Sequence, residues 1–160
     1  MKTVNTLTIR QPWSWLIVEG IKRIENRVWK TRYRGPMLIH AGKSKRTRKK
    51  DIESLDSSIS LPEEYEYGKI VGIVDLVDCI AIEALPDSYR DQFATGPWCW
   101  ILANPAKLEH PIEWVGREKM FRVPISALSE NERRRIEEST FRECRQNVLD
   151  FDSGAVPKPT

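Results

Sequence analysis

Apolar positions along the chain come in short alternating or continuous stretches, and long helical stripes are scarce. Leu7 to Arg10 alternate in the manner of a half-buried strand. Pro12 then suits the first turn of a helix, where its missing N–H costs nothing. Trp13, Leu16 and Ile17 keep helical spacing, and Gly20 is placed to end the helix. Trp15 and Val18 make that helix apolar on a second side, so it is expected to be largely buried, Trp13 included. Ile21 to Arg27 read as a turn entering a strand, and Met37 to Ala41 as another strand after Pro36. The charged stretch from Lys43 to Asp56, with Ile52 and Leu55 one helical step apart, predicts an exposed helix. The clearest strand is Lys69 to Cys79, whose nearly continuous apolar run is that of a central strand. Tyr89 and Phe93 suggest one helical face. Trp98 to Ala103, Ala106 to Glu109 and Met120 to Pro124 suggest three more strands. Ser129 and Glu132 have the spacing of a capping box, opening a helix through Ile136, Thr140, Phe141 and Cys144. Gly154, Pro157 and Pro159 predict a disordered tail. Many strands and few long helices in 160 residues point to a small mainly-β, α+β domain, a barrel with peripheral helices.

Composition narrows the class. Hydrophobic residues make up 40% and charged residues 31%, as in ordinary globular proteins. No apolar run reaches the roughly 18 residues of a membrane span, and Met1 to Leu7 lack the apolar core of a signal peptide, so a cytoplasmic protein is expected. Cys79, Cys99 and Cys144, with His40 and His110, are too scattered for a zinc site, and no Gly-rich phosphate loop is visible. No metal and no cofactor are expected.

The net charge of +3 conceals an asymmetry. Residues 1–50 hold 14 of the 26 Lys and Arg residues but only two acids, Glu19 and Glu25, for a formal +12; the remainder carries −9. A contiguous face of that sign draws phosphates by Coulomb attraction and counterion release. Lys43, Lys45, Arg46, Arg48, Lys49 and Lys50 are candidates for sequence-independent phosphate contacts, or else a solvated surface.

The segment Gly20-Ile21-Lys22-Arg23-Ile24-Glu25-Asn26-Arg27 carries the most chemistry. Along a strand, Glu25 and Arg27 project to one face, and Lys22 can swing to it from the turn. A carboxylate between two cations stays ionised and orients both. Such a cluster can grip a base edge and a phosphate, or it can be a structural ion pair closing the turn. Trp29, between Arg27 and Lys30, and Tyr33 are candidate stacking surfaces, each stacked base being worth about 1–3 kcal/mol. Trp98 and Trp100 share a strand face. Trp100 is expected inside. His40, beside Ile39 in a strand, is either a satisfied structural residue or a ligand contact.

The string G-x-K-x-x-E-x-R from Gly20 to Arg27 resembles the signature of ASCH domains, which are related to the PUA and YTH folds. Leu7-Thr8-Ile9-Arg10-Gln11-Pro12-Trp13, Tyr33-Arg34-Gly35-Pro36 with Ile39-His40-Ala41, Gly68-Lys69-Ile70-Val71-Gly72, and Gly96-Pro97-Trp98 with Asn104-Pro105 are also similar to the family. The resemblance covers roughly residues 6–125. It implies a PUA-like closed barrel of five to six strands over residues 1–126, with a helical extension packed on it over 127–150 and the disordered tail at 151–160. It places Trp98 beside the cleft. It implies RNA or another nucleic acid, or a nucleoside, as partner, with no membrane. The ligand-binding set is then Lys22, Glu25, Arg27, Trp29, Tyr33, His40 and Trp98.

Two function classes follow. Related PUA and YTH domains recognise RNA, and ASCH domains are proposed to bind nucleic acids. Some bacterial ASCH proteins instead resemble amidohydrolases acting on N4-acetylcytidine, and another has been described as a ribonuclease. In the amidohydrolase pattern a threonine nucleophile follows the motif lysine by three places. This chain has Glu25 there, and a carboxylate does not replace a hydroxyl as acyl acceptor. Thr31 and Ser44 are hydroxyls near the motif but not at that offset. As a hydrolase the chain would use Glu25 as general base towards water and Lys22 as oxyanion stabiliser, the catalytic pair of this reading.

Overall fold

The structure, a computed structural model, describes residues 2–139. Six strands form one sheet: β1 (Thr3–Ile9), β2 (Ile24–Arg27), β3 (Gly35–Ala41), β4 (Lys69–Ala81), β5 (Trp98–Glu113) and β6 (Phe121–Pro124). Their order is β2-β5-β4-β3-β1-β6. Only β1 and β3 run parallel, and the other neighbours are antiparallel. Three short helices accompany the sheet: α1 (Trp13–Val18), α2 (Lys49–Glu53) and α3 (Glu130–Glu137).

β4 explains its own composition. It lies between β3 and β5, and its interior residues are buried on both faces. Val71, Val74 and Leu76 pack with Leu7, Ile9, Met37, Trp100 and α1, while Ile70 and Ile73 join Val4, Leu38, Phe121 and Val123. A strand covered on both sides loses the alternation of a half-exposed one. Each such side chain contributes about 1.5–3 kcal/mol by leaving water.

The ladders do not close the expected barrel. Among the described residues β2 and β6 are the ends of the sheet, each four residues long and paired on one side only. Instead α1 lies against β3, β4 and β5, and its Leu16, Ile17 and Val18 are buried. The expected exposed helix over 43–56 shrinks to α2. Like charges from Lys43 to Arg48 stand at helical neighbour positions and oppose winding. The helix begins only where Asp51 meets Arg48 at 2.9 Å. Tyr89 and Phe93 do not share a helix. The chain makes a 3-10 turn at Asp87–Tyr89, and Asp91 Oδ1 then accepts from the Phe93 amide at 2.8 Å, a local bond that competes with helix. The two strands expected around Asn104-Pro105 are one strand, β5. Asn104 adopts φ +49°, and the register with β4 shifts there, so the proline falls at an irregularity.

α3 carries the capping box: Ser129 Oγ accepts from the Glu132 amide at 3.3 Å, and Glu132 accepts from the Ser129 amide at 2.8 Å. Ile136 packs against the Val4–Phe121 side of the core. The remainder of the expected extension, with Thr140, Phe141, Cys144 and the 151–160 tail, lies outside the described residues. Among the described residues no helix is long and apolar enough to cross a membrane.

Candidate nucleic-acid interface

Local chain geometry delivers Lys22 to its place. α1 ends in a Schellman arrangement: Gly20 sits at φ +78°, its amide donates to the Ile17 carbonyl, and the Ile21 amide donates to the Leu16 carbonyl, both at 3.0 Å. Only glycine takes that conformation freely. The Lys22 amide also bonds the Leu16 carbonyl, which folds the chain back so that β2 starts two residues later on the edge of β5.

There Lys22, Glu25 and Arg27 converge. Lys22 Nζ donates to the Ile24 carbonyl and stands 3.4 Å from Glu25 Oε2. Glu25 Oε1 lies 3.9 Å from Arg27 Nε, and Arg27 Nη2 donates to the Thr8 carbonyl at 3.0 Å. Lys22 is 5% exposed and Glu25 9%. Burial pushes the Lys22 amine below its ordinary pKa, against the opposing pull of Glu25. Arg27 Nε is buried with no hydrogen-bond partner among the described residues, so a donor is held inside the cluster beside Glu25 without an acceptor in bonding range.

The three line an open cleft of about 810 Å³. Trp13, Phe93 and Asn26 share its walls. Asn26 pins the opposite rim: its side chain donates to the Phe93 carbonyl at 2.7 Å and accepts from the Thr95 and Gly96 amides at 2.9 Å. The basic wall is Arg10, Lys43 and Arg48. Asp51, itself 8% exposed, accepts from both Arg10 and Arg48 at 2.9 Å and fixes their guanidinium groups side by side. Behind Lys22, a second hollow of about 310 Å³ is lined by Ile17, Val74, Val77 and Ile101, so the lysine stem forms a partition between the two. The cleft therefore offers a carboxylate acceptor, cationic donors, a ring edge or face and a positive rim within one space. Groups of these kinds can hold a base edge, a base face and a phosphate.

The structure brings together some of the residues singled out in the sequence and disperses others. Lys22, Glu25, Arg27, Lys43 and Arg48 line the cleft. Trp29, Tyr33, His40 and Trp98 do not. Trp29 turns its ring edge-on to buried Trp100, with centroids 4.6 Å apart. Tyr33 hydroxyl donates to the Pro36 carbonyl. Trp98 packs on the main core beneath Lys30, whose Nζ lies 5.2 Å from the ring centroid. His40 is buried. Its Nε2 lies 2.9 Å from the Trp114 carbonyl, which only accepts, so Nε2 carries the proton and Nδ1 takes the Thr8 hydroxyl at 3.2 Å. Burial lowers the imidazole pKa, in keeping with a neutral ring that ties β3 to the chain after β5. Lys45 reaches over the Tyr67 ring, Lys49 pairs with Glu53 at 3.6 Å, and Arg46 and Lys50 are exposed away from the cleft lining. Thr31 accepts from the Tyr33 amide, whereas Ser44 lines the cleft.

Trp13, Phe93, Arg10, Asp51 and Asn26 are among the cleft residues that sequence reasoning missed. Trp13 sits at the first turn of α1, where the helix end opens on the cleft. Among the described residues no group of three or more His, Cys, Asp or Glu is arranged to hold a metal ion.

A family model described as the ASCH domain matches residues 7–112. The chain is 29% identical to activating signal cointegrator 1 of Homo sapiens and of Mus musculus over 127 residues. The match covers 73% of this chain and 22% of each relative, so the chain spans about a fifth of the length of the curated relatives it matches. Among solved structures, it is similar to the crystal structure of ASCH from Zymomonas mobilis, with TM-score 0.48 and 13% identity over 81% of this chain and 91% of that one. A mutant form of the same protein gives TM-score 0.45 and 13% identity over 77% and 89%.

Proposed function

The chain belongs to the ASCH domain family, and from that premise we propose that its cleft binds single-stranded RNA, taking one nucleotide between Trp13 and the Lys22–Glu25–Arg27 cluster. The observation that carries the reading is the convergence of those three side chains on an open 810 Å³ cleft. Glu25 accepts from a base edge, Arg27 offers its guanidinium charge, and the Trp13 ring supplies a stacking surface. Arg10, Lys43 and Arg48 hold the backbone without reading sequence. The proposed place of action is the cytosol, where the buried free thiols of Cys79 and Cys99 remain reduced.

Titrating fluorescently labelled single-stranded RNA at several salt concentrations tests this. Binding should weaken as salt rises. Arg27→Ala should lower affinity at every salt concentration, and Lys43→Ala should flatten the log–log salt slope by about 0.7. No binding even at low salt ends the proposal.

One observation favours a second reading, a hydrolase on modified nucleosides or RNA. Lys22 is a buried amine of lowered pKa beside a carboxylate in an open cleft, an arrangement enriched at reactive sites. Glu25 would take a proton from water as it attacks, and Lys22 would donate to the oxyanion. Incubation with N4-acetylcytidine and with short RNA, beside a folded Glu25→Gln control, separates the classes. Turnover lost in that variant supports the enzyme, and unchanged substrates remove it.

A further inference from the structure

We propose that a second groove, lined by Tyr67, Trp114 and Lys45, is a stacking subsite for the nucleotides that continue beyond the cleft, so that the ligand is a strand rather than a free nucleoside. This rests on the nucleic-acid reading of the cleft. The groove holds about 720 Å³ and runs past Gly68 and Val115. Lys43 lines both spaces, so they meet at one cation.

The junction is built. Gly68 takes φ +66°, and a Cβ there would come within 3.1 Å of Lys43 Cγ, so the lysine stem lies across the glycine. The Gly68 amide donates to the Ala41 carbonyl at 2.8 Å, and its carbonyl accepts from the Trp114 amide at 3.2 Å. His40 bonds the Trp114 carbonyl from below. The groove floor is therefore tied to β3 and β5, and Lys43 is placed between two hollows where a phosphate linking two nucleotides would pass.

The walls have the chemistry of a base platform. Lys45 Nζ stands over the Tyr67 ring, 5.7 Å from its centroid, a contact that an incoming base would replace by stacking while the lysine turns to a phosphate. Tyr65 supports Tyr67 edge-on at 6.4 Å between centroids. Val115 is 72% exposed, an apolar side chain beside the aromatic floor. Glu113 also lines the groove and is its one acid among the lining residues, set against Lys43 and Lys45. Stacking tolerates any base, so the subsite adds affinity with strand length and little sequence preference.

The test compares uridine monophosphate with labelled single-stranded RNAs of about three and about eight nucleotides, lengths set by the few nucleotides an aromatic–basic groove accommodates. Affinity should rise with length in the unaltered protein. Tyr67→Ala should reduce the affinity for the longer RNAs by about 5- to 150-fold, the loss of one stacked base. It should leave competition by the mononucleotide unchanged. Lys45→Glu, at an exposed position, should act in the same direction and guards against a folding defect in the tyrosine variant. Mononucleotide binding with affinity independent of length, or equal losses for mononucleotide and strand, overturns the second subsite and leaves the cleft standing. Failure of mononucleotide and strand alike to bind overturns both.

Discussion

Exchanging Glu25 for glutamine tests the buried cluster most sharply, because the structure makes its cost exceed that of removing the lysine. Lys22 is the more buried partner, at 5% exposure, and among the described residues its ammonium donates to the Ile24 carbonyl and to Glu25. Glu25, by contrast, keeps Arg27 Nε at 3.9 Å when Lys22 is gone, and it borders the cleft. Glu25→Gln strands a buried ammonium, at a cost of about 3–5 kcal/mol. The ceiling is set by the alternative of losing the proton, about 4–5 kcal/mol for an ordinary lysine at pH 7. Lys22→Met keeps the apolar stem, removes the charge and leaves the carboxylate one cation, for about 1–3 kcal/mol. The double variant has no charge stranded, so it should be more stable than Glu25→Gln alone. At about 2–4 °C per kcal/mol for a chain of this size, these differences are resolved by thermal unfolding followed by circular dichroism, with urea midpoints as a check. If Lys22→Met proves as damaging as Glu25→Gln, or the double variant is the least stable of the three, then the carboxylate is not what holds the lysine charged.

Further expectations follow from other contacts. Because burial holds the Lys22 pKa below its ordinary 10.5, the unfolded chain binds a proton that the folded one has lost between those two values. Stability relative to Lys22→Met should therefore grow as pH rises through that window towards 10.5. Urea midpoints for both proteins from about pH 8 to about pH 10 read this directly, the raised pKa values of Tyr33, Tyr65, Cys79 and Cys99 acting on both alike. A constant difference would contradict it. Gly72→Ala puts a methyl group 2.8 Å from the Ala106 carbonyl oxygen and against the Val18 side chain, so it should destabilise by at least about 1–3 kcal/mol in chemical denaturation. Asp51→Ala removes the acceptor shared by Arg10 and Arg48. It should destabilise the fold by about 1–3 kcal/mol in urea unfolding. An unchanged urea midpoint would contradict the pinning of both arginines by one carboxylate.

The sequence made the central cluster legible because its logic is local. Glu25 and Arg27 share a face by strand periodicity, and Gly20 announces the turn that returns Lys22 to them. β3 and β4 were equally visible, since strands buried on both faces need uninterrupted apolar runs. Of the cleft walls, only Lys43 and Arg48 were visible. Asp51 meets Arg10 across 41 residues, and Asn26 meets Thr95 across 69, through contacts that no spacing along the chain reports. Aromatic positions were misjudged for the same reason. Trp29 and Tyr33 are near the motif in sequence, but Trp29 leaves β2 and turns back onto Trp100, while Trp13, read as core, packs against the core and at the start of α1 also lines the opening. The open sheet was hidden because pairing between β2 and β6, or its absence, leaves no mark on either strand's pattern.

Photocrosslinking with mass spectrometry is the most direct test of the central claim. A single-stranded RNA carrying one 4-thiouridine would be irradiated with the unaltered protein, and the attached peptides sequenced. A nucleotide seated as argued attaches to Trp13, Lys22 or Phe93 and is displaced by excess unlabelled RNA. Attachment confined to α3, β6 or other positions remote from that opening would contradict it.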